Sequence, residues 1–157
     1  MSDILVVYAT KHGSTKAVAE TIATELQANG IHVEVRPARA AREPVTGHDL
    51  IVLGGAIYSG RWHHDAHRFL KWHRKELATV PVAVFGMGPR ENQPESWQRA
   101  RAQLGRALAK RPWLTPAAVA VFGGADPPGR DDRNGRRDFR DWVAIRRWAD
   151  AVAHGIA

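Results

Sequence analysis

Short apolar segments recur along this chain of 157 residues, and most of them are followed by a stretch with helical periodicity. Residues 3–9, 49–55, 81–86 and 117–124 are continuous apolar runs, whereas residues 31–35 alternate between apolar and polar side chains. A continuous run rich in β-branched residues is typical of a strand buried on both faces, as in parallel sheets. The pattern therefore predicts a sheet of five strands.

The segments between these strands carry amphipathic helical patterns. Apolar residues recur every four positions over Val18–Leu26, which predicts a first helix. Further helices are predicted from about Asp65, from an N-cap at Ser96 and from an N-cap at Asp141. Strands joined by helices imply parallel pairing with right-handed crossovers. We therefore predict an α/β fold, a doubly wound five-stranded parallel sheet with helices on both faces, in one domain spanning residues 1–157.

The composition excludes several classes of site. The chain has no cysteine, which excludes disulfides, iron–sulfur clusters, thiolate zinc sites and cysteine nucleophiles. No stretch reaches the roughly 18 consecutive apolar residues of a transmembrane helix, and the N-terminal apolar run is too short for a signal peptide. We therefore expect a cytoplasmic protein without a transmembrane segment.

The loop after the first strand is rich in hydroxyl groups. Thr10, Ser14 and Thr15 surround Gly13 at the start of the first helix. A helix N-terminus presents outward-pointing N–H groups with a partial positive charge, and glycine lets the backbone approach a ligand closely. This arrangement suits a phosphate monoester. Ordinary helix capping explains the same residues equally well, and neither the P-loop pattern nor the dinucleotide pattern is present.

The loop after the third strand combines small and aromatic residues. Gly54, Gly55 and Ala56 would let a planar ring lie against the backbone, and Tyr58 or Trp62 could stack on that ring. The alternative is that both aromatics are ordinary semi-exposed side chains, and residue types alone favour that alternative.

Together these loops resemble those of a known family. Residues 6–15 (VVYATKHGST) resemble the phosphate loop of flavodoxins, Thr-x-x-Gly-x-Thr after the first strand. Residues 52–62 and 138–149 resemble the branch that contains the menaquinone-dependent protoporphyrinogen oxidases. The resemblance implies a flavodoxin-like fold with FMN as the cofactor. The implied phosphate contacts are Thr10, His12, Gly13, Ser14 and Thr15. The implied contacts of the flavin ring are Ala56, Ile57, Tyr58, Ser59, Gly60 and Trp62 on one side, and Gly86, Met87 and Gly88 at its other edge.

The resemblance also implies a redox function. The chain is expected to be either a flavin-dependent oxidoreductase that resembles protoporphyrinogen oxidase or an electron-transfer protein. Its expected partners are a redox protein, a quinone or an anionic small molecule, and peripheral membrane contact is a further option. Relatives of this branch carry a longer segment before the terminal helix, where this chain has only residues 125–137. The alternative from a different class is a regulatory module that keeps the fold without flavin.

The net charge of +7 is concentrated in the second half, where residues 81–157 carry 13 basic and 8 acidic side chains. A positive field near an anionic flavin predicts a less negative reduction potential than that of acidic flavodoxins. Arg130, Arg133, Arg136 and Arg137 could form a nucleic-acid patch, but no aromatic residues lie between them. We therefore expect a solvated loop there and no nucleic-acid partner.

A histidine cluster follows the second loop. His63 and His67 are spaced to share one face of a helix, and His64 lies beside them. Two histidines at this spacing can bind zinc or nickel, but no third ligand at a useful spacing completes the set. We therefore expect no metal site and assign the cluster to the protein surface or to the rim of the flavin site.

Overall fold

The computed structural model describes residues 2–126 and 137–155 of the chain. Its sheet has five parallel strands in the order β2-β1-β3-β5-β6, with a short antiparallel strand, β4, paired to β3. The strands are β1 (Asp3–Ala9), β2 (His32–Pro37), β3 (Leu50–Tyr58), β4 (Arg61–Trp62), β5 (Val82–Met87) and β6 (Ala118–Phe122). The predicted doubly wound α/β fold is confirmed.

Within the described residues, four α-helices cover the two faces of the sheet. They are α1 (Ser14–Ala28), α2 (His64–Trp72), α3 (Pro94–Ala109) and α4 (Trp142–Gly155). One core cluster packs α1 and α4 against alternate strand residues such as Ile4 and Val6. A second cluster packs α2 and α3 against the intervening residues, such as Leu5 and Val7. Burial on both faces explains why these strands are continuously apolar in sequence.

The strand order places the carboxyl ends of β1, β3 and β5 side by side. Ala9 of β1 is opposite Gly55 of β3, and Gly55 is opposite Gly86 of β5. The order reverses between β1 and β3, since the chain passes from β1 to one edge of the sheet and returns on the other side of β1. This switch point is where open α/β sheets bind their ligands.

Several predicted boundaries are wrong. The third strand does not end at Gly55 but continues to Tyr58, because it pairs with β4 beyond the parallel ladder. The third helix begins at Pro94 rather than after Ser96, since proline is favourable in the first turn and Gln93 precedes it without a side-chain cap. The predicted cap of the last helix is confirmed, because the Asp141 carboxylate accepts the Ala144 N–H at 3.0 Å.

Helix α2 is also shorter than its helical pattern predicts. The helix ends at Trp72, and Leu77 belongs to a separate 3₁₀ turn, Glu76–Ala78. Among the residues that the structure describes, no helix is long and apolar enough to cross a membrane.

A buried polar network fixes this turn against residues 41–46. His73 is 2% exposed, and its Nε2 lies 2.6 Å from the Ala41 carbonyl oxygen. Its Nδ1 lies 3.0 Å from Glu76 Oε1, while Glu76 Oε2 accepts the N–H groups of Val45 and Thr46. Desolvation raises the pKa of Glu76, but the hydrogen bonds from His73, Val45 and Thr46 outweigh it and leave that pKa below its usual value.

The network predicts a pH-dependent contribution to stability. A carboxylate whose folded pKa is lowered stabilises the protein above its unfolded pKa, and this contribution is lost as the pH falls through the folded pKa. We expect Glu76→Gln to lower the free energy of unfolding by about 1 to 2 kcal/mol at pH 7, because charged hydrogen bonds are lost. The difference from wild type should shrink from pH 7 toward pH 3, because the carboxylate becomes protonated as the pH falls through its folded pKa.

Denaturant unfolding at pH 7 and pH 3 measures this effect. Glu20→Gln is the control, since the Glu20 side chain is exposed and, among the described residues, contacts only Lys16, at 3.8 Å in an i,i+4 pair. An equal loss of stability in Glu76→Gln at both pH values would contradict the assignment of the effect to the carboxylate charge.

Candidate functional site

The loop after β1 is shaped for a close approach of its backbone to a ligand. The Thr10 hydroxyl oxygen accepts the Gly13 N–H at 2.9 Å, which closes the loop before α1 begins at Ser14. Gly13 has a φ of 90°, a left-handed conformation that favours glycine. The predicted role of Gly13 in shaping this loop therefore has a conformational basis.

The start of α1 leaves polar groups available to an anion. No side chain caps this helix, so its first N–H groups keep their donor capacity. Thr15 is 0% exposed, and its Oγ1 has no hydrogen-bond partner among the described residues. A buried hydroxyl without a partner is costly, and a phosphate oxygen would accept a hydrogen bond from it. The helix-capping alternative is not seen here, because no side chain caps the helix.

The loop after β3 is a tight hairpin. Tyr58 of β3 pairs with Arg61 of β4, and Ser59 and Gly60 form the two-residue connection. Both connecting residues have positive φ, 48° for Ser59 and 78° for Gly60, as two-residue hairpins of this hand require. The hairpin therefore holds Ser59 and Gly60 exposed at the carboxyl edge of the sheet.

The two glycines of β3, Gly54 and Gly55, leave space for aromatic side chains of the protein itself. A Cβ on Gly54 would lie 1.9 Å from Phe85 Cζ, and a Cβ on Gly55 would lie 2.5 Å from Trp62 Nε1. The expectation that these glycines make room for a bound ring is wrong at both positions, because Phe85 and Trp62 occupy that space.

Trp62 is neither a ring that stacks on a ligand nor a semi-exposed aromatic, which were its two sequence interpretations. Its side chain is 2% exposed, and its Nε1 donates to the Gly55 carbonyl oxygen at 3.2 Å. It packs in the α2–α3 core cluster. A ring buried in this way offers no open face for stacking. Trp62 instead stabilises the hairpin by packing in the core beneath β4. Ala56 is also buried, and its carbonyl oxygen accepts the His63 N–H at 2.8 Å.

The three residues predicted at the other edge of the flavin ring also differ in exposure. Gly86 and Met87 do not belong to a loop, since β5 includes both and buries both. A Cβ on Gly86 would lie 3.1 Å from the Ile57 side chain, so Gly86 lets Ile57 pack across β5. Gly88 follows the strand and is half-buried, and its N–H donates to the Phe122 carbonyl oxygen at 2.8 Å.

A polar cavity of about 280 Å³ joins the second and third loops. Four of the predicted site residues line it, Ile57, Ser59, Gly60 and Gly88. Its opposite wall comes from the loop after β5 and from α3. The side chains of that wall include Arg90, Glu91, Ser96, Arg99, Gln103 and Arg137. Thr10 lines a separate cavity of about 220 Å³, which also includes Lys11, Lys16 and Arg39.

Sequence reasoning missed the residue that organises this wall. Asp126 is 1% exposed, and its Oδ2 accepts both the backbone N–H and the Nε–H of Arg137, at 2.9 and 3.1 Å. Arg90 approaches the same carboxylate at 3.5 Å. The residues around Asp126, Gly-Gly-Ala before it and Pro after it, carry no local sequence signal for such a role. Arg137, which the sequence predicts in a solvated loop, is exposed and also pairs with Asp126. Residues 127–136 of that predicted loop lie outside the described residues.

Tyr58 connects the phosphate loop to the hairpin. Lys11 Nζ lies 5.8 Å from its ring centroid, and the rings of His12 and His63 contact it edge-on at 6.2 and 6.5 Å. Desolvation raises the pKa of Tyr58, although the positive charge of Arg90 opposes this effect. The phenol therefore stays neutral near pH 7 and can donate a hydrogen bond.

The histidines separate into two environments. His63 caps α2 by accepting the Asp65 N–H at 3.0 Å, and burial lowers its pKa despite the opposing charge of Asp65. Donor atoms of His63, His64 and Asp65 lie within 4.8 Å of one another. His67 instead accepts a hydrogen bond from Arg111 at 2.7 Å. Burial and then the Arg111 charge lower the pKa of His67 to about 4. The two histidines considered as a metal-binding pair, His63 and His67, therefore bond to different partners.

These features fit FMN as a ligand. The uncapped helix and the buried Thr15 hydroxyl suit a phosphate, Lys11 adds positive charge nearby, and the hairpin and Gly88 border a cavity beside the switch point. Thr10, Gly13, Ser14, Thr15 and Lys11 could hold the phosphate end. Ile57, Tyr58, Ser59, Gly60 and Gly88 could contact the ring.

Comparisons with known proteins agree with this fit. The flavodoxin domain family matches residues 5–126. Protoporphyrinogen IX dehydrogenase [quinone] from Escherichia coli (strain K12) is 24% identical over 170 residues, covering 96% of this chain and 94% of that protein.

Among solved structures, a short-chain flavodoxin associated with a non-canonical PDU bacterial microcompartment gives a TM-score of 0.66 at 18% identity, covering all of both chains. Oxidised flavodoxin 1 from Bacillus cereus gives 0.63 at 17% identity, covering 95% of each chain. At these identities the structural likeness establishes the fold, while the family match covers most of the chain. The chain belongs to the flavodoxin domain family, and its cofactor is FMN.

Proposed function

We propose that this FMN-binding redox protein is an oxidoreductase that oxidises a porphyrinogen-like substrate and transfers the electrons to a quinone. The structural observation that supports the proposal is the cavity between the hairpin and the loop after β5, which continues from the residues that could contact the flavin ring to polar side chains of α3. The similarity to protoporphyrinogen IX dehydrogenase [quinone] over nearly the whole chain supports the same substrate class.

FMN, when bound, supplies the two-electron chemistry, and the chain binds and orients the reactants. In each cycle the substrate loses two electrons and two protons, and the quinone gains both and becomes a quinol. Three cycles convert a porphyrinogen into a porphyrin. Tyr58, with its raised pKa, is a neutral donor at the border of the phosphate loop and the hairpin, where it can orient a polar group.

Turnover distinguishes an enzyme from an electron carrier. FMN-loaded protein mixed anaerobically with protoporphyrinogen IX and menadione should produce porphyrin fluorescence faster than the protein-free mixture. Protein stripped of FMN should lose this activity. If porphyrin forms no faster than in the protein-free mixture, while chemically reduced protein still passes electrons to an acidic redox protein, the proposed activity is wrong and the carrier function is supported.

The phosphate contacts can be tested through Thr15. We expect Thr15→Val to weaken FMN binding about tenfold, because a hydrogen bond to a charged group contributes about 1.5 to 3 kcal/mol. Quenching of FMN fluorescence by apoprotein measures the dissociation constant. Thr24→Val is the matched control, since Thr24 lies on the same helix and donates to the Glu20 carbonyl oxygen. Equal affinities for the Thr15 variant and wild type would remove Thr15 from the site.

The reduction potential of bound FMN should respond to Arg90, whose charge acts on Tyr58 of the hairpin. A unit charge about 10 Å away at an effective dielectric constant near 20 contributes about 1.7 kcal/mol, or about 70 mV for one electron. We expect Arg90→Gln to make the potential for full reduction more negative by about this amount in a spectroelectrochemical titration. Arg101→Gln, outside the cavity, should leave the potential unchanged. Equal potentials for Arg90→Gln and wild type would show that Arg90 does not tune the flavin.

A further inference from the structure

Helix α2 carries an exposed tryptophan that the flavin site does not use. Trp72 is the last residue of this helix and is 38% exposed. Among the described residues, the other large apolar side chains with comparable exposure are valines of β2, β6 and α4. The flavin site is built from the loops after β1, β3 and β5, so a role in cofactor binding does not account for Trp72.

Two arginines lie over the Trp72 indole. The guanidinium carbon of Arg42 is 4.6 Å from the ring centroid, and that of Arg68 is 4.9 Å from it. Arg68 is one helical turn before Trp72 on α2, whereas Arg42 belongs to the segment between β2 and β3. A guanidinium is attracted to the face of an aromatic ring, and this contact restricts the long arginine side chain. Both charges are therefore held at the protein surface beside an exposed ring.

Further cations lie near this pair. Lys71 is on α2, and Arg74 and Lys75 follow the end of the helix, and all three are exposed. The Arg74 guanidinium carbon lies 5.5 Å from the Trp113 ring centroid, which makes a second contact between an arginine and a tryptophan. We refer to this surface as the basic face of α2, which comprises Arg42, Arg68, Lys71, Trp72, Arg74 and Lys75.

The positive charge of this face is largely uncompensated. None of its five cations forms an ion pair with a residue in the ranges 2–126 and 137–155. Glu43, next to Arg42 in the chain, pairs instead with Arg36 at 3.0 Å. Glu76 borders a cavity of about 430 Å³ on this face, but its carboxylate is already bonded to His73 and to two backbone N–H groups. An excess of positive charge therefore acts outward, on whatever approaches the surface.

The composition of this face fits an anionic lipid bilayer better than other macromolecular partners. Anionic headgroups attract clustered lysines and arginines, and an indole with an apolar body and a polar N–H suits the interface between membrane and water. A nucleic-acid base that stacked on Trp72 would compete with the two guanidinium groups already over that ring. A stable protein interface requires a larger apolar centre than one exposed aromatic ring.

We propose that the basic face of α2 binds the surface of an anionic bilayer, with the Trp72 indole at the level of the headgroups and the five cations against lipid phosphates. The association is peripheral, because the apolar residues of α2 are already packed in the core and only the basic face remains for the lipid. This inference goes beyond the proposed function and does not depend on it, since the surface lies outside the flavin site.

Vesicle flotation tests this surface. FMN-loaded protein is mixed with vesicles of phosphatidylcholine alone or with vesicles that also contain the anionic lipid phosphatidylglycerol, at the same total lipid concentration. We expect the anionic vesicles to bind the protein at least tenfold more tightly than the neutral vesicles. Added salt should remove this difference, because exposed charges are screened. Equal flotation with the two kinds of vesicle at low salt would overturn the proposal.

Two double variants that remove the same charge locate the effect. Arg42→Gln with Arg68→Gln changes the basic face of α2, whereas Arg146→Gln with Arg147→Gln changes exposed positions of α4, which packs on the other side of the sheet. We expect the first pair to weaken binding to anionic vesicles about tenfold and the second pair to leave it close to wild type. Trp72→Ala should also weaken binding, although it changes no charge. Equal losses in the two double variants would assign the binding to net charge and refute this face.

FMN affinity is the folding control, and each variant should keep the wild-type value, since none of the substituted residues belongs to the flavin site. A variant of the basic face that binds FMN normally and loses vesicle binding supports the proposal. Binding of wild type to a single-stranded oligonucleotide or to polyglutamate, without binding to anionic vesicles, would overturn it in favour of a nucleic acid or an acidic protein. The turnover assay with menadione needs no vesicles, so its failure would refute the proposed function and leave this surface intact.

Discussion

The register of the parallel strands determines where every functional group of this protein lies. Ala9, Gly55 and Gly86 are neighbours across β1, β3 and β5, so the three segments that follow these strands emerge at one edge of the sheet. Backbone hydrogen bonds set this register, and the two core clusters maintain it, because a shift by one residue would turn every buried side chain to the wrong face. The phosphate loop, the hairpin and the loop after β5 depend on this alignment for their proximity.

Two adjacent glycines of β3 connect the sheet to the site. Gly54 leaves space for the Phe85 ring on one face, and Gly55 leaves space for the Trp62 indole on the other. Trp62 in turn fixes β4, which closes the hairpin that carries Ser59 and Gly60. The small residues that suggested room for a ligand thus make room for the rings that stabilise the hairpin. Packing against the chain's own rings and packing against a bound ring need the same small residues, so sequence could not separate them.

After β6, an ion pair between Asp126 and Arg137 is a second feature that depends on contacts between residues distant in sequence. Asp126 and Arg137 are 11 positions apart, and their hydrogen bonds place Arg137 beside the loop after β5. An arginine in a polar segment rich in glycine and proline has the composition of a solvated loop. Its partner Asp126 is buried, and the local sequence carries no signal for this pairing. The cytoplasmic location, the single domain and the absence of metal and nucleic-acid partners stay predictions.

The sequence by itself determined the fold class, the order of strands and helices along the chain and the position of the glycine-containing loop before α1, because continuous apolar runs, helical periodicity and a glycine before a helix are local patterns. Tertiary structure decided which residues of those loops are accessible: it buried Trp62, Ala56, Gly86 and Met87, left Ser59 and Gly60 exposed, and placed Arg137 at the wall of the cavity. These outcomes depend on strand register, helix packing and one buried carboxylate, which are contacts between residues distant in sequence and leave no periodic trace in it.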